Sequence, residues 1–268
     1  WHAAGRLQAS LVISPRSDMN LGRQPAGMSL LEMMIALTLS ALLLVGLVQI
    51  ASAAASSTRL QRNQAHLQEN ARLVITVITR FVREAGYSPE PWDPGHELSG
   101  LSDGNGDSVT GKSDRLAVRS WSDLNCFDNR NPVLNAQGQP AFYIRDVVFD
   151  LNSTNGLTWQ CRYGPSEAEM VTQIRRQGLV QNVDSFQVLY GEDSDDDGLV
   201  DRWVIAGQWE TPGRILGMKF GLLLSSDDIV AEKESHQFLV LDAVLKKPAD
   251  GRLRRVFEFA AAIRSRTG

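Results

Sequence analysis

Residues 26–54 read AGMSLLEMMIALTLSALLLVGLVQIASAA. From Met28 to Ile50 this is an apolar run of about 23 residues with a single ionisable group. As a helix it spans roughly 34 Å, enough for a ~30 Å hydrocarbon core. The ionisable group is Glu32, near the start of the run. A carboxylate costs on the order of 2.5–3.5 kcal/mol at the centre of such a helix and less near an end. One reading leaves Glu32 merely tolerated at the interface. The other gives the acid a function and requires a cationic partner for it.

Beyond Ser56 the pattern stays helical. Leu60, Leu67, Ala71, Val74, Ile78 and Phe81 recur at spacings of three, four and seven, which marks one face of a helix. Gly86 reads as a C-terminal cap, and Pro89, Pro91 and Pro94 forbid continuation. The expectation is one helix from Met28 to about Ala85, with 28–50 in the membrane and the second half packing its stripe on a sheet. The alternative is two helices broken near Ser56. On the other side of the run, Trp1–Asp18 shows no periodicity, and Met19 is a plausible start. Arg23 on the leader side orients the chain with its C-terminal part exported. A secretory signal peptide places its apolar run before the small residues; here the order is reversed.

The chain has 268 residues, 43% of them hydrophobic, and a formal charge of −4. That supports one anchored domain or two small ones. With no basic surplus and no nucleic-acid-binding motif, no nucleic-acid partner is expected. His2, His66, His96 and His236 read as isolated.

The segment G-MSLLE-MMIALTLSALLLVGLV resembles the class III signal shared by type IV pilins and type II secretion pseudopilins. The resemblance implies that residues 1–27 are leader or upstream segment and that a prepilin peptidase cuts after Gly27. Met28 then becomes an N-methylated N-terminus, although Phe is commoner there. Glu32 becomes the fifth mature residue, which in this family pairs with the terminal amine of a neighbouring subunit. Such pairing takes place in low dielectric, where a charge needs its partner.

After the prolines the sequence turns strand-like. Segments 114–121, 141–151, 156–163, 183–191, 201–209, 215–226, 236–245 and 254–264 mix β-branched and aromatic residues with partial alternation. A long helix followed by antiparallel strands gives an α+β fold, the pilin "lollipop", with residues 86–268 as its globular domain. GKSDRLAVRSW, the pair Cys126 and Cys161, QGLVQNVDSFQVLYGEDSDDDGLVDRWV, GMKFGLLLSS and FEFAAAIR resemble the long minor pilins of the PilW family. The resemblance implies a protein of the inner membrane and then of the pilus, with a role in twitching motility. It implies as partners other minor pilins, the major pilin and a large tip adhesin.

In an exported domain, two cysteines 35 positions apart suggest one disulfide, the alternative being two free buried thiols. GEDSDDDGLVDRW places Asp193, Asp195, Asp197 and Asp201 at relative positions 1, 3, 5 and 9, with Gly198 at 6 and the Leu199 carbonyl at 7. This is the first part of an EF-hand-type calcium loop. Position 12 is Val204 rather than a bidentate glutamate, so the loop is EF-like only. The plain alternative is a solvated acidic hairpin. Glu192 and Asp196 add charge around it. A weaker candidate, Asp103, Asn105 and Asp107, lacks the glycine at its sixth place, Ser108.

No catalytic signature is present. GKS at 111–113 lacks the strand and helix that a phosphate loop needs. The chain reads as an assembly protein rather than an enzyme: a minor pilin that primes assembly and sits at or near the pilus tip. The alternatives are a J-type pseudopilin of type II secretion or a DNA-uptake pilus, and a membrane-anchored periplasmic binding protein.

Overall fold

A computed structural model describes residues 27–107 and 113–265. Met19, Arg23, Ser108, Gly111 and Lys112 lie outside the described residues. The chain divides into two units, Trp1–Ala53 and Ala54–Gly268.

In the first unit, Leu30 opens a single α-helix, α1 (Leu30–Glu84). Ser29 starts it: its hydroxyl accepts the Leu31 N–H and its carbonyl the Met33 N–H. The large apolar side chains from Leu30 to Ile50 are exposed, and the helix is long and apolar enough to cross a membrane.

In the second unit α1 buries Leu67, Ala71, Val74, Ile78 and Phe81 of the stripe predicted from spacing, with Val82 beside them, while Leu60 is only half-buried. The helix ends where Gly86 takes φ +69°, a conformation a β-carbon would strain. The freed Gly86 N–H donates to the Arg119 carbonyl at 2.8 Å, tying the helix end to the first strand.

Among the described residues the unit holds two four-stranded antiparallel sheets and a two-stranded one. The first contains β1 (Leu116–Ser122), β2 (Tyr143–Leu151), β3 (Leu157–Gly164) and β4 (Val171–Val180), in that order. The second has the order β10–β7–β5–β6, from β5 (Val183–Glu192), β6 (Arg202–Val204), β7 (Ile215–Ile229) and β10 (Arg252–Ala262). Phe81 of α1 packs on Phe149 and Trp159 of the first sheet. One core runs from α1 through Phe149 and Leu157 to Phe186 and Phe220 of the second, and to Ile263 just after β10. Ser113 and Asp114 join the sheets: the Ser113 hydroxyl accepts the Phe186 N–H and the Asp114 carboxylate the Val188 N–H.

The structure departs from the sequence reading in three places. First, β4 was not predicted. It is an edge strand whose Arg175, Arg176 and Gln177 are exposed, so it lacks an apolar alternation, and its charges protect the edge. Second, the segment 236–245 is not one strand but a hairpin, β8 (His236–Val240) and β9 (Ala243–Lys247), turning at Leu241 with φ +53°. It lies against β7 at Gly221, where a β-carbon would come within 2.6 Å of Val240. Third, the segment 201–209 holds only three strand residues, β6.

Candidate functional site

Gly27 and Met28 precede α1, and Glu32 sits in its first turn. Negative charge is favourable at that helix end. Among the described residues no cation pairs with Glu32.

The acidic loop joins β5 to β6. The Asp201 N–H donates to the Glu192 carbonyl, closing its base, and the Asp193 N–H donates to Arg214. Gly198 at φ +86° and Asp196 at φ +68° make the reversal. Asp193 is buried at the centre: its carboxylate accepts the N–H groups of Asp196, Asp197 and Gly198. Desolvation opposes its charge, but those three donors prevail and hold the carboxyl below its ordinary range. Asp197 accepts the Leu199 N–H and Asp201 the Ser194 N–H.

Carboxylate oxygens of Asp193, Asp195 and Asp197 all lie within 4.8 Å of one another. Asp201 and Leu199 are not part of that group, although Asp201 repels Asp195 electrostatically. Desolvation, then repulsion from Asp197, Asp201 and Asp193, push the Asp195 carboxyl upward. These three acids could hold a metal ion, which would relieve that repulsion. Arg214 stands beside the loop, donating to the Ser194 carbonyl and lying 3.9 Å from Asp196. A polar cleft of about 550 Å³ opens beside the loop, lined by Asp193, Asp196, Asp197, Arg214 and Glu97.

Glu192 does not belong to the acidic group. It is buried, paired with Arg202, and accepts the N–H groups of Glu210 and Thr211. The weaker candidate fails for a physical reason: the Asn105 amide is fully used by Ser102, Ala117 and the Tyr190 hydroxyl. Cys126 and Cys161 form a disulfide with Cα atoms 5.8 Å apart. It fastens the loop after β1 to the centre of the first sheet. His66 is exposed on α1, but His96 is not isolated, because Asp93 and Glu90 face its ring. The i, i+3, i+6 spacing of the three was the available signal.

Residues 152–265 match the family model of type IV pilus-assembly protein W, and residues 22–48 match that of the prokaryotic N-terminal methylation motif. No curated protein matches the chain. Among solved structures a type IV-like pilin from Thermus thermophilus is similar at 15% identity. That alignment covers 76% of this chain and 100% of the other, with a TM-score of 0.48.

Proposed function

We propose that the chain is a minor pilin of the PilW family, as the matches of residues 152–265 and 22–48 support, and that it primes assembly of the pilus and is incorporated at or near its tip. A minor pilin of this kind is anchored in the inner membrane by its N-terminal helix before it enters the pilus.

One observation carries the reading. Glu32 stands on a helix whose apolar surface is exposed from Leu30 to Ile50, and no cation of its own chain pairs with it among the described residues. Both deficits are met by packing helices side by side, with Glu32 pairing the N-terminal amine that cleavage after Gly27 exposes on Met28 of a neighbour. The exported unit then offers lateral surfaces to other minor pilins, the major pilin and a tip adhesin.

The acidic loop fits calcium. Its donors are carboxylate oxygens around a tight turn, and a hard cation suits them. With Asp193, Asp195 and Asp197 as ligands, and Leu199 and Asp201 completing the set, calcium would order the loop as a rigid partner surface. The missing position-12 glutamate places the affinity in the weak extracellular range, about 10⁻⁴–10⁻³ M. The test of the main reading is a deletion strain complemented with wild type or Glu32→Ala. Wild type should restore surface pili and the variant should not; equal piliation would overturn it. Loss of type II secretion with normal piliation would favour the pseudopilin reading.

A further inference from the structure

We propose a second metal site, made for a borderline transition ion such as Zn²⁺ or Cu²⁺, from Glu90, Asp93 and His96. These residues follow α1 in the proline-rich turn and are separate from the acidic loop.

The geometry is that of a metal triad. His96 Nδ1 is 3.0 Å from an Asp93 carboxylate oxygen and 3.6 Å from one of Glu90, and donor atoms of all three lie within 4.8 Å of one another. Tetrahedral zinc with bonds of about 2.0–2.1 Å separates its ligand atoms by roughly 3.3–3.4 Å. The observed spacings bracket that value. A hydrogen bond from His96 to Asp93 accounts for only half of the arrangement. Nδ1 carries one proton at most, yet two carboxylates converge on it. Among the described residues neither carboxylate pairs with a lysine or arginine. A divalent cation at that point satisfies both acids and the nitrogen together.

The donors are held from outside. The other Asp93 oxygen accepts the Gly95 N–H at 2.9 Å, leaving one oxygen aimed at the ring. The ring packs on Trp121 with centroids 4.8 Å apart, and the His96 carbonyl accepts the Trp121 indole N–H. Pro91 and Pro94 restrict the backbone between the three ligands. Such outer partners orient metal ligands and raise affinity. The imidazole nitrogen sets the metal class: it suits Zn²⁺ and Cu²⁺, whereas an all-oxygen set such as the 193–197 loop suits Ca²⁺. The side chains are partly exposed, so water can fill the remaining positions.

The test is calorimetric titration of the untagged full chain in detergent with Zn²⁺, in excess calcium. Wild type should take up one equivalent. His96→Asn and Glu90→Gln should each weaken binding about tenfold or more, and Asp195→Ala should not. With Cu²⁺, the electron paramagnetic resonance spectrum should show one imidazole nitrogen that disappears in His96→Asn. No saturable uptake, equal affinity in His96→Asn and Glu90→Gln, or a copper spectrum without nitrogen coupling would each overturn the proposal. Should His96→Asn fail to fold, Glu90→Gln alone keeps the test, because Glu90 is half-exposed.

Discussion

Reduction of the Cys126–Cys161 bridge should lower stability by an amount set by the loop it closes. The two residues are 35 positions apart. In the chain-entropy treatment that loop contributes about 12.7 cal/mol/K, or about 3.8 kcal/mol at 25 °C. In a domain of roughly 200 residues this corresponds to a fall of about 8–15 °C in Tm. The native loop has other ties that survive reduction: Asp128 pairs with Arg80 on α1, and the Cys126 N–H donates to the Gln173 side chain. The folded state therefore keeps its shape, and the gain in freedom falls on the unfolded chain. The assay is thermal melting of the full chain with and without reductant, with Cys126→Ala/Cys161→Ala as control. Because Cys161 is wholly buried, the double variant carries an added packing loss, so reduction of wild type is the cleaner number. A shift under about 3 °C on reducing wild type would refute the reasoning. A comparable shift when the cysteine-free variant is treated would refute it as well.

Three further outcomes are expected. Asp195→Ala with Asp197→Ala should lower Tm only when calcium is present; an equal loss in chelator would make the loop a plain hairpin. Hydrogen bonds and ion pairs hold Asp193, Asp128 and Asp250 below the ordinary carboxylate range, so their stabilisation is present above the unfolded value near 4 and lost as pH falls below it. Burial pushes Tyr163 up to about 12, so its contribution is complete below pH 10 and lost as pH rises from 10 to 12; melting across both ranges checks the two signs. Arg145 is buried with Nε and Nη1 lacking hydrogen bonds, with Glu84 as its hydrogen-bonded partner and Asp128 at 3.8 Å. Arg145→Met should therefore change stability by less than about 1 kcal/mol, while Glu84→Ala, which leaves the cation only the more distant Asp128, should cost about 2 kcal/mol, as denaturant titration would show.

The elements that follow one strong period were legible in the sequence. The stripe Leu67–Ala71–Val74–Ile78 fixed the buried face of α1, and the prolines with Gly86 fixed its end. β7 showed itself as an apolar run because it is covered on both faces. β4 did not, because an exposed edge strand is selected for charge rather than alternation. The β8–β9 hairpin was hidden because Leu241, an unusual residue at positive φ, makes its turn without glycine or asparagine. In the candidate site the acidic spacing was plain, but the role of each acid was not. Only the fold shows that Asp193 organises the loop by accepting three backbone N–H groups while Glu192, its neighbour, turns inward to Arg202. The grouping of His96 with Glu90 and Asp93 needed the fold, because the i, i+3, i+6 spacing brings side chains together only where the backbone turns as it does at Pro94–His96.

The central claim is that Glu32 finds its cation on another subunit. Its most direct measurement is the amount of this protein recovered in sheared filaments relative to the inner membrane, for wild type and Glu32→Ala in the same deletion background. The account predicts wild type in both fractions and the variant retained in the membrane with its exported unit folded, as judged by an intact Cys126–Cys161 bridge. Recovery of the variant in filaments at the wild-type level would contradict it.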